Sequence, residues 1–156
     1  MNCSMIEFTR SHHRTIAGIL ALLDGAFLDR AECFFGGGTQ IALAYGEFRE
    51  SRDIDFLCAS RAGFRMLRET VNERSLGAVF RKPVRLAREV RADRDGVRTF
   101  VVFDQVKIKL EFVLEGRIDL AFCAAHHPLA ALKPGMALAE AAYGAAVRRQ
   151  LRMASA

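Results

Sequence analysis

The 156-residue chain has little that would staple or anchor it. Its four cysteines, Cys3, Cys33, Cys58 and Cys123, are scattered and form no CxxC pair. That spacing reads as reduced thiols and points to the cytoplasm. No apolar run approaches the ~20 residues that span a bilayer, so no membrane association is expected. Met1-Asn2-Cys3-Ser4-Met5 lacks the basic start and long apolar stretch of a secretory signal. There is no internal repeat, and no linker that would divide the chain into separate domains. No Ser–His–Asp ordering suggests acyl transfer. His12-His13 and Cys123-Ala124-Ala125-His126-His127 look like metal ligands, but neither has the further donors a zinc site needs.

What is present is an ordinary globular composition, 51% hydrophobic and 26% charged, in a chain long enough to bury a core. The net charge of +5 leans toward an anionic partner. Arginine is dense from Arg61 to Arg98, but Glu69, Glu73, Glu89, Asp93 and Asp95 interrupt it. No aromatics are interleaved at a stacking spacing, so charge by itself does not identify nucleic acid.

Apolar residues Ile16, Ile19, Leu20, Leu23 and Phe27 recur at helical spacing, which predicts one helix over residues 11–28 with Ser11 as its N-cap. Cys33-Phe34-Phe35 reads as a buried strand, followed by a two-turn helix capped by Thr39 and ended by Gly46. Residues 53–59 read as a strand, and Ser60 caps a helix to about Glu73. Three strands follow, over 86–92, 97–103 and 106–114. Asp95-Gly96 is a strong hairpin signal between the first two, and Asp104-Gln105 a weaker one between the last. The order predicts an α+β domain with a mixed sheet of about five strands flanked by helices. Residues 121–156 are alanine-rich, and propensity predicts a helix over about 136–153.

Three elements carry chemistry. Gly36-Gly37-Gly38 lets the backbone take positive φ and lets a ligand approach closely. The helix behind it aims free N–H groups and a positive dipole end at the turn, a place for phosphate. No lysine follows, so this is not a Walker loop. In Asp53-Ile54-Asp55-Phe56, alternation sets both aspartates on one face, their Cα atoms roughly 6.6 Å apart. Two such charges repel unless a cation joins them. In Lys107-Ile108-Lys109-Leu110-Glu111-Phe112, the polar face holds Lys107, Lys109 and Glu111. If this strand lies beside Asp53–Phe56, Glu111 becomes the third carboxylate of a two-metal phosphoryl-transfer site, and Lys107 or Lys109 neutralises departing pyrophosphate.

The run Phe35-Gly36-Gly37-Gly38-Thr39, then Tyr45-Gly46, then Arg49-Glu50-Ser51-Arg52-Asp53-Ile54-Asp55-Phe56 resembles the AbiEii/AbiGii toxin family within the DNA polymerase β-like nucleotidyltransferases. The likeness covers roughly residues 30–120. It implies a polymerase β palm-like fold, with Gly37, Gly38 and Thr39 on a triphosphate and Asp53 and Asp55 on Mg²⁺ or Mn²⁺. It sets Glu111 in the third-carboxylate place. Arg49 and Ser51 support the loop, with Arg49 a phosphate contact. Members of the family pair with an antitoxin protein, and some transfer nucleotides to tRNA.

The chain departs from that pattern after residue 120. Family members continue into a helical region rich in lysine and arginine; here only Lys133 and the Arg148–Arg152 cluster stand in for it. The expectation is a nucleotidyltransferase-like domain over 1–120 and a truncated or diverged tail over 121–156. The leading function is metal-dependent transfer of a nucleotide from NTP to a hydroxyl, with tRNA or another RNA as acceptor, by a toxin-like component. The alternatives are a catalytically impaired module that binds a partner, and a small-molecule nucleotidyltransferase.

Overall fold

The computed structural model describes residues 8–115. The alanine-rich tail, its expected helix, Cys3 and the Cys123–His127 run lie outside that range. A six-stranded mixed sheet forms the frame. Its strands are β1 (Cys33–Gly36), β2 (Asp53–Cys58), β3 (Arg85–Leu86), β4 (Arg91–Ala92), β5 (Gly96–Phe103) and β6 (Val106–Leu114). They run in the order β1-β2-β6-β5-β3, with β4 also paired to β5. The β2–β6 pair is parallel and every other pair antiparallel. The helices are α1 (Ser11–Leu22), α2 (Gly25–Arg30), α3 (Gly37–Ala44) and α4 (Arg61–Thr70).

Strand alternation divides the sheet into two faces. Ile54, Phe56 and Cys58 of β2, Ile108, Leu110 and Phe112 of β6, and Val97 and Val101 of β5 are buried in one core with Ile16, Ile19, Phe64 and Leu67 of the helices. Phe56 and Phe112 stack at 4.9 Å in its middle, and Phe35 leans on Phe56 at 5.6 Å. Fully burying side chains of this size stabilises by about 1.5–3 kcal/mol each. The intervening residues, among them Asp53, Asp55, Lys109, Glu111 and Arg98, face the other way and stay partly exposed.

Several local expectations are met. Ser60 caps α4, its hydroxyl accepting from Gly63 N–H at 3.0 Å. Gly46 ends the α3 segment with φ +72°. Others are overturned by tertiary contacts. The single helix over 11–28 is two, because Leu23 turns extended and Asp24 accepts from Phe27 N–H to start α2. The break lets Leu23 bridge to Phe80. Ser11 does not cap α1; its N-cap is Arg10, with no side-chain cap bond. Instead the Glu47 carboxylate, from a distant loop, accepts from Thr9 N–H at 2.7 Å and Arg10 N–H at 3.0 Å. An anion at a helix N-terminus is favoured whichever segment supplies it. Thr39 is not the cap of α3 either, a place taken by Gly36.

The strand expected over 86–92 is only the short pieces β3 and β4. Between them the chain peels away so that Val90 can bury itself and donate to Glu73 O at 2.8 Å. Asp95-Gly96 does not form the tight turn itself: the Asp93 carboxylate accepts from both N–H groups at 2.9 Å, and Gly96 opens β5. Asp104-Gln105 does form one, both residues at positive φ as a type I′ hairpin demands.

Candidate active site

One row of strand partners crosses the open face of the sheet. Gly36 pairs with Asp55, Asp55 with Glu111, Glu111 with Arg98, and Arg98 with Arg91. A second row sets Asp53 beside Lys109 and Lys109 beside Phe100. The two aspartates and Glu111 therefore lie on one surface, as strand parity predicts. Lys107 shares that face, but it lies two residues beyond Lys109, on the side away from Glu111.

The glycine turn abuts this row. Gly37 has φ +76°, and a Cβ there would stand 2.9 Å from Asp55 Oδ2. Only glycine gives both the conformation and the approach. A Cβ on Gly38 would meet the Arg49 guanidinium, so Arg49 lies over the turn. The Thr39 hydroxyl is buried, faces inward, donates to Asp53 O and lies 2.6 Å from Ser51 Oγ. It ties the first turn of α3 to the start of β2.

Charge is unevenly settled here. Burial raises the pKa of Asp55, the neighbouring charges of Asp53 and Glu111 raise it further, and Lys109 offsets part of this. For Glu111, burial also pushes upward, but hydrogen bonds from Lys109 and Arg98 outweigh it and hold its pKa below the ordinary value. Lys109 Nζ lies 2.8 Å from Glu111 Oε2, and Arg98 Nε donates to Oε1 at 2.7 Å. Arg98 also reaches Asp93 Oδ2 at 2.8 Å.

As the side chains stand, no three His, Cys, Asp or Glu residues among those described gather closely enough to hold a metal ion. Both oxygens of Glu111 are taken by cations. Asp53 and Asp55 still offer hard oxygen donors on one face, and a divalent cation would relieve the repulsion on Asp55. That donor set fits Mg²⁺ or Mn²⁺.

A network hidden from the sequence holds this arrangement. His13 is fully buried; its Nε2 accepts from Ser51 N–H at 2.9 Å. The imidazole proton therefore sits on Nδ1, 2.8 Å from Glu47 Oε1. Hydrogen bonds thus run from Glu47 through His13, Ser51 and Thr39 to the backbone of Asp53. The partners of His13 lie 34 and 38 residues away, so no local pattern signals it. Arg98 did leave a signal: the alternation of β5 places it on the polar face with Phe100.

Residues 21–148 match the model of the nucleotidyl transferase AbiEii toxin family of type IV toxin–antitoxin systems. That span is most of the chain. The chain belongs to the AbiEii family. The match runs past residue 120, into the alanine-rich tail that departs from the motif-level likeness. No protein of curated function matches in sequence. Among solved structures, JHP933 of Helicobacter pylori is similar at 15% identity and TM-score 0.40, over 70% of this chain and 46% of that one. A second H. pylori protein, classed as a nucleotidyltransferase, is similar at 19% identity and TM-score 0.38, over 65% of this chain and 43% of the other. TM1012 of Thermotoga maritima, of the same class, gives 16% identity and TM-score 0.37, over 93% and 91%. This AbiEii chain thus spans less than half the length of the H. pylori proteins. Among the described residues, no helix is long and apolar enough to cross a membrane.

Proposed function

We propose that this AbiEii-family chain transfers a nucleotide from an NTP to a hydroxyl acceptor, releasing pyrophosphate, as the toxin of a toxin–antitoxin pair. The observation that carries the reading is the register row that sets the glycine turn, Asp55 and Glu111 side by side. In it the N–H groups of Gly37, Gly38 and Thr39 hold the triphosphate, with Arg49 above them. Ser51 and the Thr39 hydroxyl keep that turn in place against β2. Asp53 and Asp55 hold Mg²⁺ or Mn²⁺, which when bound neutralises charge on the phosphates and orients them. The acceptor oxygen attacks the α-phosphorus, the bond to the β-phosphate oxygen breaks, and pyrophosphate leaves on the flank of the glycine turn and Arg49. Glu111 takes the third-carboxylate place on the acceptor side once Arg98 and Lys109 release it.

One observation favours a second reading. Glu111 held by two cations is also what a catalytically impaired, partner-binding module would show. Incubation with each labelled NTP, Mg²⁺ and total tRNA separates the two. Label should pass to RNA with the native chain and not with Asp55→Ala. Absence of transfer to any acceptor, or transfer that Asp55→Ala leaves intact, would end the catalytic assignment. The cytoplasm is the compartment this reading requires, since NTPs and RNA are there.

A further inference from the structure

Two cysteines that are distant in the chain meet in the sheet. Cys33 opens β1 and Cys58 ends β2, and they are direct cross-strand partners 25 residues apart. Their Sγ atoms lie 3.1 Å apart as free thiols. Both belong to the apolar core, 1% and 0% exposed, on the face away from the carboxylates.

Register decides what such a pair can do. Ala59 N–H donates to Glu32 O at 2.9 Å, so Glu32 and Ala59 form a hydrogen-bonded pair of the antiparallel ladder. The next pair along, Cys33 with Cys58, is therefore a non-hydrogen-bonded one, in which Cα atoms come to about 4.5 Å and side chains are closest. That separation lies within the roughly 4.4–6.8 Å that a disulfide spans. A bond of about 2.05 Å asks each sulfur to move about half an ångström, within reach of a small χ1 rotation.

Access is the second condition. In the closed sheet the hydrogen bond from Cys58, together with burial, holds the Cys33 thiol well above the usual thiol range, which keeps it inert. β1, however, has four residues and stands at one end of the strand order, with β2 its one partner among the described strands. Short edge elements open locally at a fraction of the free energy of global unfolding. Each opening bares the thiols, and each closure returns them to 3.1 Å.

We infer that Cys33 and Cys58 are a reversible thiol–disulfide pair, which a low-molecular-weight disulfide such as oxidised glutathione closes into a cross-strand bond. The thiolate bared on opening attacks one sulfur of the small disulfide, forming a mixed disulfide and releasing one small thiolate. The second cysteine then attacks the protein sulfur of the mixed bond and releases the other. Two protein thiols are oxidised, one small disulfide is reduced to two thiols, and the two protons pass to the released thiolates. Closed, the bond pins β1 to β2 three residues from the Gly36–Asp55 pair, where the glycine turn meets the aspartate strand. This chemistry is independent of any transferase activity.

The test is incubation of the full, folded chain with excess oxidised glutathione. Remaining thiols are then blocked with N-ethylmaleimide, and the digested chain is read by mass spectrometry. Peptides joined through Cys33 and Cys58 should form, and dithiothreitol should separate them. Urea well below the unfolding transition should speed closure, because opening of β1 limits it. The oxidised chain should melt ~6–12 °C higher, the shift expected of a bond closing a loop of this length. Cys33→Val and Cys58→Val, each close to the thiol in volume, should abolish both the joined peptides and the shift.

A bond that appears only in the unfolded chain would overturn the proposal. So would glutathione that stays on Cys33 or Cys58 as a lasting adduct, since a partner thiol at 3.1 Å should displace it. Oxidation that joins either residue to Cys3 or Cys123 instead, or closure that lowers the melting temperature, would overturn it as well. Full protection of both thiols at every urea concentration below the transition would reduce the pair to core packing and end the assignment.

Discussion

Glu47→Gln tests whether the buried latch behind the candidate site carries the stability its geometry implies. The Glu47 side chain is 8% exposed and accepts from Thr9 N–H, Thr9 Oγ1, Arg10 N–H and His13 Nδ1. Burial pushes its pKa upward, but those hydrogen bonds outweigh burial and bring it from 4.5 to about 2. At about 1.36 kcal/mol per pKa unit the carboxylate contributes roughly 3 kcal/mol. The folded pKa lies below the unfolded one, so the contribution is complete above about pH 4.5 and fades as pH falls toward 2. Glutamine keeps one acceptor oxygen and turns an NH₂ toward donors, which removes most of that stabilisation. Urea unfolding at neutral pH should show a loss of about 3 kcal/mol, and melting a fall of ~6–12 °C. The gap between native chain and variant should then narrow steadily as the series is taken down to about pH 3. A variant within about 0.5 kcal/mol of the native chain, the level of an ordinary surface change, would refute the reasoning. So would a gap that does not change with pH. Because the network continues through His13, Ser51 and Thr39 to Asp53, the variant should also lose transfer under conditions where it is folded.

Three further outcomes follow from the site. Mg²⁺ at about ten times its Kd should stabilise the native chain by about 1.4 kcal/mol, ~3–6 °C in melting, and leave Asp55→Asn unmoved; equal shifts in both would place the cation elsewhere. Gly37→Ala takes the left-handed penalty of about 1–2 kcal/mol and sets a methyl 2.9 Å from Asp55 Oδ2, so transfer measured on folded protein should fall more than tenfold. A variant that is less stable but turns over normally would show that the turn is not at the site. Arg98→Gln removes two partly exposed ion pairs, to Glu111 and to Asp93, costs under about 1 kcal/mol for each, and should lower the Mg²⁺ concentration needed for the melting shift by freeing one Glu111 oxygen; an unchanged or higher requirement would count against Glu111 as a metal carboxylate.

Much of this site was legible in the residues because its signals are local. A glycine that needs positive φ, a serine that caps its own helix and a strand that alternates depend on neighbours within a few positions. Gly37, Ser60, and the alternation of Asp53–Phe56 and Val106–Phe112 were readable for that reason. What escaped depended on distant partners. The break at Leu23 exists because Phe80 and Val79 wait there, and the capping of α1 comes from Glu47 across 37 or 38 residues. The strand expected over 86–92 gave way because Val90 is worth more in the core than in a ladder.

The sequence by itself determined which side chains could share a face, and so the membership of the carboxylate surface. Alternation is a property of one strand and needs no second. Tertiary structure alone decided that Asp55 faces Glu111, and that Glu111 meets Arg98. Register belongs to a pair of strands, and a slip of one residue would have turned every one of these groups to the opposite face. Pairing to Arg98 and Lys109 leaves Glu111 neutralised, while Asp53 and Asp55 remain in mutual repulsion. That imbalance arises only when three strands are assembled, because charges act through space and not along the chain.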